Sequence, residues 1–402
     1  MRRTFLVTGA AATSKLNAYF AGRGPGGLDE TLQSGITRRR IPTAVAMVAD
    51  GNKTRYAGAF GKRDASGPPV GGDALFRIAS MTKAITTVAA LQLVEQGKVD
   101  LSEPVSKHLP QLAKLEVLEG VDASGMPSLR PAKTHITLRH LLTHTSGFCY
   151  GLWDEQMSRY SSAKRSDAAV KPGPLMFEPG TRWQYGQGVD WAGRLVEAIS
   201  GVTLEQYFQQ NILGPLLMND TSYVLPEAKF ERLVSSYRRG PNGDLQENER
   251  KLPARPTTFN GGGGLYSTAG DYVRFMQMIL NRGRGDSKVQ ILKSATVESM
   301  MKNQIGELSA GKMKSFEPET SADVDFQPGQ TQKWGLGFLI NTAPIAGGRS
   351  AGSLAWAGIS NTFYWIDPKR RRCAVLMMQY LPFCDKEAIG LLSDFEQAVY
   401  RD

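Results

Sequence analysis

The feature that most limits how this chain can fold is the position of its strand-like runs, which lie at its two ends with a long helix-patterned stretch between them. Near the start, Leu28 to Arg40 has the apolar spacing of an amphipathic helix, and Ala44-Val45-Ala46-Met47-Val48 and Thr54 to Phe60 follow as strand-like runs. Asp50-Gly51-Asn52 between them is a hairpin signal. Near the end, Gly335 to Ile340, Ser353 to Trp356, Thr362 to Ile366 and Cys373 to Gln379 are strand candidates. Asp367-Pro368-Lys369-Arg370 forms a turn between the last two, and a final helix is expected from Lys386 to Tyr400. From about Asp100 to about Gln330 the pattern is mostly helical and broken by Pro and Gly. The economical solution is an α/β fold with one central antiparallel sheet built from both termini, flanked by helices, and an inserted, mostly helical lobe. The expected divisions are a flexible N-terminal segment over 1–25, an α/β domain from 26–100 and 331–402, and the lobe over 101–330.

Composition narrows the function classes. With 402 residues, 41% hydrophobic and 21% charged, the chain can bury a large core, and disordered or collagen-like classes drop out. No stretch approaches the roughly 18 uninterrupted apolar residues of a membrane-spanning helix, so no membrane partner is expected. The formal charge is +10, but the basic clusters Arg38-Arg39-Arg40, Arg238-Arg239 and Lys369 to Arg372 are short. Without interleaved aromatics they read as solvated faces, and no nucleic-acid partner is expected. Cys149, Cys373 and Cys384 are odd in number and form no Cys-x-x-Cys pair, so reduced thiols are expected. Met1-Arg2-Arg3-Thr4-Phe5-Leu6, with Ala10-Ala11-Ala12 behind it, has some features of a twin-arginine export signal. Its apolar part is short and carries Thr8 and Gly9, so the cytoplasm is the expected compartment, with the periplasm or secretion as the alternative.

The chain contains four Ser-x-x-Lys spacings, so the spacing by itself decides nothing. Ser161 with Lys164 and Ser309 with Lys312 lie in polar or Gly-containing runs that read as loop, and Ser299 with Lys302 falls at the end of a helical pattern. Ser80 alone follows a strand-like run, Ala74-Leu75-Phe76-Arg77-Ile78, and opens a helix whose apolar positions are Ile85, Val88, Leu91, Leu93 and Val94, with Gly97 as its stop. At a helix start the free N–H groups and the dipole favour an anion, and i, i+3 spacing sets Ser80 and Lys83 on one face. A simple cap would explain Ser80 but not Lys83, because a cation in the first turn opposes the dipole.

Gly348-Arg349-Ser350-Ala351-Gly352 has the form of an α/β-hydrolase elbow, which requires an acid and then a His downstream of the Ser. His108, His135, His140 and His144 all lie upstream, so Ser350 is read as a loop residue and a base other than His is expected. His140 and His144 are four apart, as zinc ligands on a helix would be, but no Glu follows His140 and no third ligand is evident. They are read as hydrogen-bonded structural residues, with no metal and no cofactor.

Several segments together resemble one superfamily: Phe76 to Lys83; Ile136-Thr137-Leu138-Arg139-His140-Leu141-Leu142-Thr143-His144-Thr145-Ser146-Gly147; Trp183-Gln184-Tyr185-Gly186 with Asp190-Trp191-Ala192-Gly193; and Trp356-Ala357-Gly358. The chain is similar to the class C β-lactamases and family VIII carboxylesterases, and to the fungal acyltransferases that attach statin side chains. The resemblance runs from about Ile41 to about Arg401. It implies a β-lactamase/transpeptidase-like fold and a Ser80, Lys83, Tyr185 catalytic set, with Tyr185 in the place of the Tyr of a Tyr-x-Asn element and Gln187 in that of its Asn. It also implies an oxyanion hole from the backbone N–H groups of Ser80 and Ile359, and a substrate site that includes Tyr150, Trp153, Gly264, Trp356 and Gly358. Trp356 stands where β-lactamases carry the Lys of Lys-Thr-Gly, which removes an anion anchor and supplies an apolar wall, favouring neutral esters. The Gly261 to Gly264 run resembles a loop near the family's site and lacks the ending of a phosphate loop.

Ser80 needs a neighbour to take its proton, and Lys83 and Tyr185, with unperturbed pKa values of about 10.4 and about 10, are the candidates. The expected activity is hydrolysis of a small-molecule ester through an acyl-Ser80 intermediate. Acyl transfer to an alcohol, weak β-lactamase or D-Ala peptidase activity, and a non-catalytic binding protein are the alternatives.

Overall fold

The computed structural model describes residues 27–163, 172–286 and 288–401. The export-signal reading, the 1–25 segment and Lys164 lie outside them. Helix α1 (Leu28–Arg39) is followed by strands β1 (Thr43–Asp50) and β2 (Thr54–Gly61), then by α2 (Thr82–Glu95), α3 (Leu138–Leu142), α4 (Glu155–Ala163), α5 (Gly188–Ser200) and α6 (Ala269–Leu280). Strands β3 (Gln332–Trp334), β4 (Leu339–Asn341), β5 (Leu354–Gly358), β6 (Thr362–Asp367) and β7 (Arg372–Met377) come next, and α7 (Lys386–Val399) closes the chain.

The seven strands form one sheet in the order β2-β1-β7-β6-β5-β4-β3 with antiparallel pairs throughout. Both ends of the sequence therefore meet at the β1–β7 pair, where Met47 faces Val375. The hairpin at Asp50 forms because its carboxylate accepts from the N–H groups of Asn52 (2.9 Å) and Lys53 (2.8 Å), a side-chain mimic of a backbone turn. Side chains alternate faces along β6, and both faces are covered. Tyr364 meets Tyr272 of α6 at 4.9 Å between ring centroids, whereas Trp365 meets Phe395 of α7 at 5.6 Å. In α1, Leu28, Leu32 and Ile36 are buried at helical spacing, while Asp29 and Glu30 at its start and Arg38 and Arg39 at its end complement the dipole.

The Gly335 to Ile340 run is not a single strand. Leu339 pairs with Trp334, and the Gly335 N–H donates to the Phe338 carbonyl (2.8 Å), so these residues turn back between β3 and β4. Between residues 101 and 330 the helices are separated by long loops and by short ladders, Glu116–Val121 with Pro127–Pro131 and Tyr237–Arg239 with Leu245–Glu247, so this stretch is less helical than its apolar spacing predicts. The basic clusters are tied into the fold: Arg39 pairs with Asp394 (2.8 Å), Arg239 with Asp385 (3.2 Å), and Arg372 stacks on Tyr400. The three cysteines are buried free thiols. Among the described residues, no helix is long and apolar enough to cross a membrane.

Candidate active site

The chain reaches Ser80 through a sharp change of direction. Phe76–Arg77 pairs with Tyr266–Ser267 over two residues, a shorter strand than the Ala74 to Ile78 run suggests. Ala79 then adopts φ 45°, in the left-handed region that costs a non-glycine residue energy. Ala79–Met81 forms a single 3₁₀ turn that feeds α2. Ser80 does not cap that helix through its side chain; it stands half-buried at the turn, and Lys83 is buried in the first turn of α2.

The Lys83 ammonium donates to Ser80 Oγ at 3.0 Å, to the Gly262 carbonyl at 2.7 Å and to the Tyr150 hydroxyl at 3.3 Å. Three donors thus meet three acceptors, which is how a buried ammonium is tolerated. The Tyr150 hydroxyl donates to Asp190 Oδ2 (3.2 Å), and the other Asp190 oxygen accepts from the Gly262 N–H (3.0 Å). Burial, together with the nearby Asp190 carboxylate and Tyr185, holds the Tyr150 phenol well above the usual tyrosine range. Tyr150 is accordingly a neutral donor, not a base.

Tyr185 lies beside this group. The Lys83 ammonium is 4.9 Å from its ring centroid, and its hydroxyl accepts from Trp356 Nε1 at 3.1 Å. An indole N–H and a cation on one phenol are matched to negative charge arising there during proton transfer. Gly186 lets the Tyr185 segment lie against Phe148 and Cys149, since a Cβ there would collide with the Phe148 carbonyl oxygen. Tyr150 and Tyr185 consequently sit 5.5 Å apart.

The cavity in front of Ser80 has a volume of about 610 Å³. Tyr150, Trp153 and Gly264, which the resemblance assigns to substrate binding, line it together with Tyr185 and Ile359. Trp356 and Gly358 do not line it. Trp356 is 4% exposed and packs behind Tyr185, against Trp334 at 4.7 Å, so it orients the tyrosine instead of forming the apolar wall expected of it. Gly358 ends β5 directly against the nucleophile turn, because any Cβ there would collide with the Ile78 carbonyl oxygen. That close approach puts Ile359 at the cavity beside Ser80.

His140 closes a reciprocal cap with Thr137 at the start of α3. That helix ends at Leu142, so His144, at φ 58°, does not share its face with His140. His144 accepts from the Gly186 N–H (3.4 Å) and packs on Tyr185 at 4.6 Å; burial and the Lys83 charge push its pKa well below the ordinary imidazole value. Ser350 lines none of this, and its N–H is bonded to Asp367 (2.9 Å).

Sequence reasoning quoted Asp190 and the Gly261 to Gly264 run only as family likeness, gave Asp190 and the Gly262 carbonyl no role, and missed the serine face of α4. Ser158, Ser161 and Ser162 line the cavity, and Ser161 belongs to a helix, not the loop its polar run suggested. Their i, i+3, i+4 spacing was the available signal.

A serine held by a lysine at the mouth of a cavity, on a sheet of this topology, defines an acyl-transferring serine enzyme. The sequence profile described as Beta-lactamase matches residues 28–395, and the chain belongs to the β-lactamase family. It is 33% identical to monacolin J acid methylbutanoyltransferase from Aspergillus terreus, over 93% of this chain and 95% of that one. It is 32% identical to a lovastatin esterase from Penicillium rubens, over 93% and 98%. The unliganded structure of simvastatin synthase, LovD, from Aspergillus terreus superposes with a TM-score of 0.79 at 30% identity, covering 93% of this chain and 97% of that one. The protein is a serine hydrolase/acyltransferase of that family.

Proposed function

We propose that the protein is a carboxylesterase that cleaves small to medium carboxylic esters, neutral around the scissile bond, through an acyl-Ser80 intermediate. The observation that carries this reading is the lining of the Ser80 cavity. Among the described residues it includes no lysine or arginine, and its charged side chain is Glu317. The Lys83 ammonium behind Ser80 is already engaged by three acceptors, so a substrate with an anion next to its reactive carbonyl would enter without an open partner for that charge.

Ser80 Oγ attacks the ester carbonyl while its proton passes to the Lys83–Tyr185 pair. In the neutral form of Lys83, the same 3.0 Å geometry places the amine lone pair on the Ser80 hydroxyl. The oxyanion is met by the backbone N–H groups of Ser80 and Ile359, the alcohol departs with a proton, and acyl-Ser80 remains. Water then completes hydrolysis. A bound alcohol in place of water gives acyl transfer, and the likeness to monacolin J acid methylbutanoyltransferase favours this second reading.

The test is a series of p-nitrophenyl esters of increasing acyl length beside nitrocefin, with and without added alcohols, for the wild type and Ser80→Ala. Ester turnover that greatly exceeds nitrocefin turnover and vanishes in Ser80→Ala is the expected result. New ester product on adding an alcohol would move the assignment to acyl transfer. Nitrocefin as the best substrate would overturn both.

A further inference from the structure

A second cavity, of about 470 Å³, adjoins the first, and the two share Tyr150 and the Gly262–Gly264 turn as a common wall. Its other side is built largely from Gln187, just before α5, from Asp190 and Arg194 in the first two turns of that helix, and from Asn260. The charges here are unequal in their commitments. Asp190 is occupied by the Tyr150 hydroxyl and the Gly262 N–H. Arg194 is half-buried, with its guanidinium stacked on Trp191 at 5.0 Å, and among the described residues no carboxylate pairs with it. Gln187 and Asn260 add amide groups whose side chains bond to no described residue.

A stacked guanidinium keeps its N–H edge free, and that planar edge matches a carboxylate. A partly desolvated cation without a partner is costly, and a ligand anion removes the cost. We infer that this chamber holds a carboxylate carried by the substrate at the end remote from its reacting carbonyl, with Arg194 as the anchor and Gln187 and Asn260 as supporting donors. The inference rests on the ester reading above and adds a rule about where charge is allowed. Negative charge finds no open partner beside Ser80, where the Lys83 ammonium is already engaged by three acceptors and no cation lines the cavity among the described residues, and it is accepted across the Tyr150 wall, where Arg194 lines the chamber. Arg194 thereby becomes a specificity residue in the chamber it shares with Tyr150.

The experiment uses two substrate sets, each beside its methyl-capped neutral counterpart. One is p-nitrophenyl monoesters of linear dicarboxylic acids from succinic to sebacic. The other is acetate esters of hydroxy acids of matching length, which put the carboxylate on the alcohol side. In one of the sets, at the length that spans the wall, kcat/KM for the charged ester should exceed the neutral one by about tenfold, the scale of one charge-assisted contact. That ratio should collapse in Arg194→Gln and be partly kept in Arg194→Lys, while Arg282→Gln, on an exposed loop, should leave it intact. Calorimetry of the same charged esters on the Ser80→Ala protein gives a readout without turnover, with binding expected to weaken about tenfold when Arg194→Gln is added. Ratios at or below one at every length in both sets, or a preference that survives Arg194→Gln, would overturn the inference while leaving the esterase reading standing. Failure of that reading would show separately, as neutral esters that never acylate Ser80; the calorimetric arm still decides the chamber.

Discussion

The two sides of the catalytic cavity are held together by different physics. On one side, Ser80, Lys83, Tyr150, Asp190 and Gly262 form a chain of directional hydrogen bonds in which the Lys83 ammonium has every donor engaged. On the other, Tyr185, Trp153, Trp356 and Trp334 pack as tilted and edge-on rings 4.7–5.3 Å apart; one hydrogen bond joins them to each other, from Trp356 to Tyr185, while Trp153 and Trp334 donate outward to Ser321 Oγ and the Leu142 carbonyl. Breaking a hydrogen-bonded chain around a buried charge strands its neighbours, whereas an aromatic stack loses contact area and one bond. The polar side should therefore punish small chemical changes heavily, and the aromatic side should answer more mildly. Tyr185 is the exception because it belongs to both.

The largest expected effect is from Ser80→Ala, which removes the nucleophile and should lower ester turnover by roughly 10³-fold or more, while Ser350→Ala stays close to wild type. Tyr185→Phe keeps the ring in its aromatic setting and deletes only the hydroxyl; a loss of about 10²–10⁴ in kcat, with little change in melting temperature, would mark it as a proton-transfer group. Tyr150→Phe leaves one Lys83 donor and one Asp190 oxygen without this partner while keeping the ring in the cavity lining. Its expected cost is about 10–100-fold in kcat/KM, and because Tyr150 stays neutral, no basic limb of the pH profile should disappear with it. On the aromatic side, Trp356→Phe removes the indole N–H from Tyr185 and should cost about 5–10-fold. A larger loss for Trp356→Phe than for Tyr150→Phe would reverse the comparison.

The smallest effect concerns stability. His144 has a depressed pKa in the folded protein, so folded molecules bind fewer protons than unfolded ones once pH falls through the ordinary imidazole value of about 6.5. Stability from this group is complete above that pH and is lost below it, by up to about 1.4 kcal/mol per pH unit. His140 is shifted in the same direction by burial and the Arg139 charge. Denaturant titrations of the wild type and His144→Gln between about pH 7 and pH 5 should show the steeper decline in the wild type. Equal slopes would remove His144 from the buried, uncharged set behind Tyr185.

Much of the fold was legible because its signals are local. The strands at both ends carry period-two or continuous apolar runs, and the hairpin at Asp50-Gly51-Asn52 is written in three residues. The β3–β4 turn was misread because Gly335 to Ile340 is apolar enough to resemble one strand, and only pairing with Gln332–Trp334 shows where it folds back. At the site, Ser80 and Lys83 are three residues apart at the start of a helix, and that spacing in that context predicts their contact. Lys83 meets Tyr150 across 67 positions and the Gly262 carbonyl across 179, distances over which no local pattern reports. The replacement of a lysine by Trp356 was visible in the sequence, but its depth was not. The indole lies behind Tyr185, and its work is orientation of that hydroxyl.

The central claim is that Ser80, of the four Ser-x-x-Lys serines, is the acylated residue. Brief reaction with a p-nitrophenyl ester, acid quench and peptide mass mapping tests it most directly. The account predicts one acyl group per chain on the peptide that carries Ser80, and none in Ser80→Ala. An acyl group on Ser350, Ser161, Ser299 or Ser309, or one that persists in Ser80→Ala, would contradict it.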